Sequence, residues 1–402
     1  MKKILVLIPN LNMGGAQKAL ISLLNEIDRN KYAITVTIFG DGELIDSIPS
    51  GIKVEKWENY YNLLANKYNK SFKKDLIQAC VRGKIKYCIK KITQLMNYKM
   101  GKSLHEEQKV WKLVEREIEI KDVDFDLCLS YMQGSTTYYM VDKLKCNCPK
   151  IAMMNTDYVK AGYNKQFDKK YFQNLKKIVC VSTEAMDTLK EVFPEFKEKI
   201  VKLEDVLSPQ YVRKQSQLKC DIKLNSDKLI ILSCGRLAVR VKGYDLCVEA
   251  AKLLKQAGYD FYWYIIGDGP GKKWMENKIR EYDLQKFVIL LGTQINPYPI
   301  IRQCDIFVQA SRFEGKCLAL REAKILYKAI ISTNFEAVYS EIENDVNGII
   351  VEMNANAIFV ALKTIMDDEQ KRENFIKNIS IPNESGIMEY EKLFDEILGE
   401  KF

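Results

Sequence analysis

At 402 residues, 47% of them hydrophobic and 29% charged, the chain is too apolar for a disordered polypeptide and too long for one core; at about 100 to 200 residues per domain it reads as two. The apolar run after Lys3 stops at Pro9, too short for a signal peptide, and no stretch reaches the roughly 18 apolar residues of a membrane span, so a cytoplasmic location is expected. The formal charge of +9 is concentrated: between Tyr61 and Lys102 eleven Lys and Arg residues stand against one acid, Asp75, leaving the remainder close to neutral.

The eleven cysteines are odd in number and scattered, and Cys128, Cys180 and Cys234 lie inside apolar runs, so they read as small core residues in a reducing compartment. Cys146 and Cys148 have no second Cys or His pair to complete a zinc set, so no metal is expected there. His105, the single histidine, sits among polar residues, where a solvated position is expected. A Ser/His/Asp triad has no other imidazole to use.

In chain order, a strand over Ile4–Ile8 runs through Gly14 and Gly15 into a helical pattern over Ala16–Ile27, the opening of a doubly wound α/β domain whose ligands gather at the strands' carboxyl ends. A second strand is expected over Ala33–Phe39. From Ser71 to Met100 apolar residues recur at helical spacing with lysines between them and only Gly83 interrupting. That amphipathic insert, about 61–102, either docks its stripe on the domain or lies at an anionic membrane surface. It carries no recognisable nucleic-acid-binding module, so no nucleic acid is expected as a partner.

Strands over Leu127–Tyr131, Ile151–Met154 and Ile178–Val181 each end in polar or small residues, among them Gly134, Asn155 and Asp157, and an acceptor is expected along that rim. Ser182 and Thr183 supply an N-cap for a helix over Glu184–Phe193. Ser208–Asp227 is polar and weakly patterned and reads as an interdomain linker. A second α/β series follows, with strands over Leu229–Ser233, Phe261–Ile266, Val288–Leu291 and Ile306–Gln309, entering turns at Gly235, Gly267, Gly292–Thr293 and Ser311.

The last of these turns, SRFEGKCLALREAKILYKAIIS, reads as loop, helix, strand. Glu314 and Glu322 are eight residues apart, about 12 Å along a helix axis, so two carboxylates bracket a helix N-terminus. The helix end favours phosphate and the carboxylates accept from sugar hydroxyls. A ligand with phosphates in the middle and a sugar at each end suits that spacing.

GRLAVRVKGYD, IIGDGPG, LLGTQINPY, SRFEGKCLALREA and NFEAVYSEIENDVNGIIVE, in this order, resemble the retaining nucleotide-sugar glycosyltransferases of the large group 1 family that includes sucrose synthases and bacterial capsule and exopolysaccharide enzymes. IAMMNTDYVK, KIVCVS and the Gly14-Gly15-Ala16 turn extend the likeness to nearly the whole chain.

The fold this resemblance implies is GT-B: two Rossmann-like domains, 1–207 on the acceptor side and 208–385 on the nucleotide-sugar side, facing across a cleft, with a helix within 386–402 crossing back to the first. It implies that Arg236 and Lys242 hold the diphosphate and that Glu314 contacts the donor sugar. Gly315, Lys316, Cys317 and Leu318 would meet sugar or phosphate, Glu322 the ribose, and Gly14, Gly15, Gly235, Gly267, Gly292 and Thr293 would line the donor. No metal or cofactor is required where Arg, Lys and a helix end carry the charge. Asn155 stands where many relatives have a His, leaving Asp157 or a backbone group to orient the acceptor, and Arg321 is expected to be a solvated helix position.

The expected activity is transfer of a hexose-type sugar from a nucleotide-diphosphate sugar, a UDP-sugar foremost, to a lipid-linked oligosaccharide or surface polysaccharide at the inner face of the membrane. The competing readings are a non-catalytic glycosyltransferase-like subunit and a nucleotide-sugar epimerase of the same fold.

Overall fold

A computed structural model describes residues 1–12, 14–57, 104–314, 317–381 and 386–399. The basic segment at 61–102, and Gly315 and Lys316, lie outside the described residues. The chain divides into two compact units, Met1–Leu207 joined by Glu384–Phe402, and Ser208–Asn383.

In the first unit, β1 (Lys2–Ile8), β2 (Tyr32–Ile38), β3 (Lys53–Lys56), β5 (Leu127–Ser130), β7 (Lys150–Met154), β8 (Lys177–Cys180) and β9 (Ile200–Lys202) form one parallel sheet in the order β3-β2-β1-β5-β7-β8-β9. A two-stranded ladder, β4 (Lys121–Asp122) and β6 (Leu144–Lys145), stands beside it. The near-continuous apolar run of β1 reflects burial on both faces. Ile4, Val6 and Ile8 enter one core, whereas Leu5 and Leu7 enter the other, the period of two that a strand imposes. The order runs outward in both directions from β1 and β5, so the carboxyl ends of these two strands are a topological switch point, the usual place for a ligand in such a sheet.

The helix Ile387–Leu398 packs on this unit: its Tyr390, Leu393 and Phe394 share a core with Ile4, Val6 and Ile8, and Asp395 accepts from the Tyr32 hydroxyl and the Lys31 ammonium.

The second unit repeats the plan. Here β10 (Leu229–Cys234), β11 (Phe261–Ile266), β12 (Val288–Gly292), β13 (Ile306–Gln309), β14 (Ala329–Thr333) and β15 (Ile349–Val351) run parallel in the order β12-β11-β10-β13-β14-β15, with the switch between β10 and β13. Two doubly wound Rossmann-like units give the fold class that the sequence implied. Among the described residues no helix is long and apolar enough to cross a membrane.

Two expectations need correction. The linker expected over Ser208–Asp227 begins with a helix, Pro209–Ser216, because Ser208 caps it through the Tyr211 N–H at 3.0 Å and Pro209 suits the first turn. His105 is half-buried rather than solvated: it caps the helix Glu106–Val114, accepting from the Glu107 N–H at 3.3 Å, and stacks on Tyr163.

Beneath β7, Asp168 is only 2% exposed and accepts from Tyr138 Oη at 2.7 Å and Tyr158 Oη at 2.8 Å. Burial pushes its carboxyl up from 3.8 to about 6, so the folded state holds this proton more tightly than the unfolded chain. The stability this group contributes is complete below pH 3.8 and lost as pH rises through about 6. Urea unfolding of wild type and Asp168→Asn should therefore diverge with pH. Between about pH 3 and about pH 7 the wild type should lose about 3 kcal/mol relative to the variant. A pH-independent difference would show that the carboxyl is not held protonated.

Candidate active site

The site in the second unit grows from the carboxyl ends of β10, β11, β12 and β13. Past the strands the backbones remain laced together. Gly235 N–H donates to the Ile266 carbonyl at 2.9 Å, and Gly267 N–H donates to the Gly292 carbonyl at 2.8 Å. The approach is close enough that a Cβ on Gly267 would lie 2.0 Å from the Gly235 oxygen, so a side chain there would force the turns apart.

After β10 the chain makes a short helical turn, Val239–Lys242, and reverses at Gly243. Gly243 has φ +66 and a Cβ there would sit 1.8 Å from the Ala310 carbonyl oxygen, so glycine is required twice over. This reversal seats the turn against the end of β13. The buried Tyr244 hydroxyl donates to the Gly235 carbonyl at 3.1 Å and closes the loop.

That geometry brings Lys242 and Glu314 together across 72 residues of sequence, Nζ to Oε1 at 2.6 Å. Glu314 Oε1 also accepts from Ser311 Oγ at 2.6 Å and Gln309 Nε2 at 3.0 Å. Three donors converge on one oxygen, and Oε2 takes none of these bonds, which leaves it as an acceptor for a hydroxyl. The Glu314 side chain is 10% exposed and that of Lys242 26%, so the pair is largely shielded from bulk water.

Arg312 fixes the same two segments. It forms a bidentate pair with Asp245 at 2.7 and 2.8 Å, donates to the Arg240 carbonyl at 2.8 Å, and its backbone N–H donates to the Val241 carbonyl at 2.9 Å. Arg312, Asp245, Ser311 and Gln309 were not among the sequence candidates. Arg312 and Asp245 come from different strand ends, which no local spacing signals, whereas Ser311 and Gln309 lie within five residues of Glu314.

Beyond Glu314, the helix Leu318–Ile325 starts at Cys317, which is buried and supplies no side-chain cap, so no side chain of Cys317 occupies the first-turn N–H groups. Leu318 is half-buried at its entrance. Glu322, expected at the ribose, is 1% exposed and accepts from Tyr298 Oη at 2.9 Å, and burial beside this carboxylate pushes the Tyr298 phenol well up. The structure thus places it in the wall of the site.

Arg321 departs from the solvated position expected: its side chain is 22% exposed, Nε stands 3.6 Å from Glu341 Oε1, and Nη1 is buried with no hydrogen-bond partner. The cause is Glu341, which pairs with both Arg321 and Lys324 on that face of the helix. Arg236 and Thr293 are exposed, and Gly292 has open space where a Cβ would be.

In the first unit the expected residues also gather at strand ends. Gly14 precedes the helix Gly15–Glu26 after β1, lying against Gln17, and Gly15 is exposed. Gly134 precedes the helix Ser135–Lys143 after β5, but it lies against Glu107, whose carboxylate accepts from Ser135 N–H at 2.8 Å and Oγ at 3.0 Å. That helix end is therefore already filled from within. Asp157 is engaged in its own turn, accepting from the Val159 and Lys160 N–H groups at 3.0 and 2.9 Å. Asn155 differs: its N–H donates to Gln133 Oε1 at 3.0 Å, yet both buried side-chain polar atoms lack a partner.

Residues 215–380 match the family described as Glycosyl transferases group 1, so the resemblance carried by the motifs is borne out over the second unit. Over 157 residues, 39% of this chain and 41% of the relative's length, the sequence is 35% identical to the Campylobacter jejuni N-acetylgalactosamine-N,N'-diacetylbacillosaminyl-diphospho-undecaprenol 4-alpha-N-acetylgalactosaminyltransferase. It is 22% identical over 385 residues, 93% of each chain, to the amylovoran biosynthesis glycosyltransferase AmsD of Erwinia amylovora. In fold it is similar to HepE of Anabaena in complex with UDP and glucose, at 14% identity and a TM-score of 0.65 over the full length of both chains. A Rickettsia africae glycosyltransferase gives 18% and 0.63, covering 100% of this chain and 99% of that one. These are GT-B structures, and the chain shares their fold.

The Gly243 reversal yields a direct test. Gly243→Ala should destabilise the second unit by about 2 kcal/mol or more in urea unfolding, since a left-handed backbone and a clash with Ala310 coincide. An unchanged midpoint would mean that the turn does not seat on β13.

Proposed function

We propose that the chain is a retaining glycosyltransferase that moves a hexose-type sugar from a nucleotide-diphosphate sugar, foremost a UDP-sugar, to a lipid-linked oligosaccharide or surface-polysaccharide acceptor. The observation that carries this reading is the Lys242–Glu314 pair at 2.6 Å, built at the switch point of the unit that matches the family. The names of the relatives support the substrate class. The Campylobacter enzyme is named for an undecaprenol-linked acceptor, AmsD for amylovoran biosynthesis, and HepE is in complex with UDP and glucose.

In this reading Arg236 and Lys242 bind the diphosphate, and their charge offsets the negative charge that grows on it as the bond to the sugar's anomeric carbon breaks. The N–H groups at the start of Leu318–Ile325 add to that field. The free oxygen of Glu314 accepts from a sugar hydroxyl and Glu322 frames the ribose. A new bond forms from the acceptor oxygen to the same face of the anomeric carbon, and the acceptor's proton leaves with the diphosphate oxygen. Two cations and a helix end supply the positive charge, so no metal is assigned to the transfer. Asn155 is the acceptor-side polar group with bonds still to make. The basic segment at 61–102 is assigned to the anionic inner surface of the membrane, where a lipid-linked acceptor would lie.

Thermal shift against UDP-, GDP- and ADP-sugars should single out one donor class, since a ligand that binds only the folded state raises the melting temperature. With that donor, release of nucleoside diphosphate should fall about 100-fold or more in Glu314→Gln and Lys242→Ala. Turnover that survives both substitutions sinks the assignment, and binding without turnover points to a non-catalytic subunit.

A further inference from the structure

The thiols of Cys128, Cys146 and Cys148 serve no part of the site described above. Cys128 lies near the start of β5 and is fully buried, and Cys146 and Cys148 lie half-buried in the loop between β6 and β7. Spacing along the chain pairs only the last two, and the fold adds the third. Cys148 Sγ is 2.6 Å from Cys146 Sγ and 3.4 Å from Cys128 Sγ, and all three sulfurs lie within 4.8 Å of one another.

The loop that presents them is fixed before any ligand arrives. Cys128 N–H donates to the Pro149 carbonyl at 3.0 Å, Val123 N–H to the Lys145 carbonyl at 3.2 Å, and Lys150 Nζ to the Leu144 carbonyl at 2.9 Å. Donors held in this way lose little freedom on binding. The cluster stands at the amino ends of β5 and β7, whereas Gly134 and Asn155 follow their carboxyl ends. It is therefore separate from the sugar chemistry.

The donor set selects the ligand. Among the described residues no imidazole or carboxylate joins the three sulfurs, and an all-thiolate set favours soft cations over Mg²⁺ or Ca²⁺. Thiolates about 2.3 Å from one zinc stand about 3.8 Å apart, so Cys128 and Cys148 are already near that spacing, and a side-chain rotation of about 1 Å opens the other pair. A disulfide would use only two of the sulfurs. We propose that Cys128, Cys146 and Cys148 form a three-thiolate site for one thiophilic cation, Zn²⁺ or Cu⁺, which clips the 146–149 loop to β5. Binding displaces the thiol protons, and water takes the remaining position on zinc, whereas Cu⁺ needs none.

The test is metal titration of the full, reduced, metal-stripped chain, with Zn²⁺ against a chromophoric chelator and, anaerobically, with Cu⁺ against a Cu⁺-specific one. The expected result is one cation per chain with a rise in melting temperature, the tighter arm identifying the metal. Cys148→Ser should weaken it about 100-fold or more, whereas Cys220→Ser, outside the cluster, should bind as wild type. If Cys148→Ser loses its far-ultraviolet circular dichroism, Cys146→Ala gives the same reading from a half-buried position. The proposal is overturned by the absence of one-to-one binding in both arms, or by binding that Cys148→Ser leaves intact. It is equally overturned by a chain that takes up no cation and re-forms a Cys146–Cys148 disulfide in glutathione buffer, with the mass two hydrogens lower.

Discussion

One carboxylate oxygen organises the site in the second unit. Bringing a carboxylate to 10% exposure costs solvation, and Glu314 offsets that cost with three donors on Oε1: an ammonium, a hydroxyl and an amide. Each donor comes from a different place, Lys242 from the turn after β10, Gln309 from β13 and Ser311 from the loop beyond it. The carboxylate therefore sets the distance between two strand ends. The Arg312–Asp245 fork ties the same ends together a second time, so neither turn can shift without breaking charged hydrogen bonds. Rigid placement of this kind is what a group-transfer site requires, because a reacting bond tolerates little misplacement.

The two units put the same architecture to different use. At the strand ends of the first, polar groups satisfy one another: Glu107 fills the helix end at Ser135, and Asp157 is spent on its own turn. Asn155 keeps both side-chain polar atoms without a partner, and the Tyr131 hydroxyl just past β5 is likewise unpartnered. At the strand ends of the second, Arg236 and Thr293 are exposed, and Cys317 at the helix start gives no side-chain cap. The second unit thus presents positive charge at its strand ends, whereas the first presents the Asn155 amide with its bonds unmade.

Much of this architecture was legible in the sequence because parallel strands buried on both faces leave continuous apolar runs. Ile4–Ile8, Phe261–Ile266 and Ile306–Gln309 could be read directly, whereas the helix Ile387–Leu398 was implied by the resemblance. β3 was not legible: Lys53-Val54-Glu55-Lys56 is an exposed edge strand with no apolar run. The short helix after Ser208 was hidden by polar composition, since only Val212 and Ser216 are buried on it. For the site, Arg236, Lys242 and Glu314 carried a motif, whereas the roles of Arg312 and Asp245 exist only once distant turns meet. Arg321 and His105 were misread for the same reason: their cover, Glu341 in one case and Tyr163 in the other, is supplied by the fold.

The helix Ile387–Leu398 has a consequence for how the chain is made. Tyr390, Leu393 and Phe394 belong to the same core as Ile4, Val6 and Ile8, so that core joins residues from either side of the second unit. During synthesis the first unit leaves the ribosome early but remains without part of its interior until the whole second unit has followed. That wall of its core comes from residues translated after the second unit. The second unit, continuous in sequence, can close as soon as it is complete. A chain that stops short of residue 387 therefore lacks one wall of its first core while keeping the whole of the second unit's sequence.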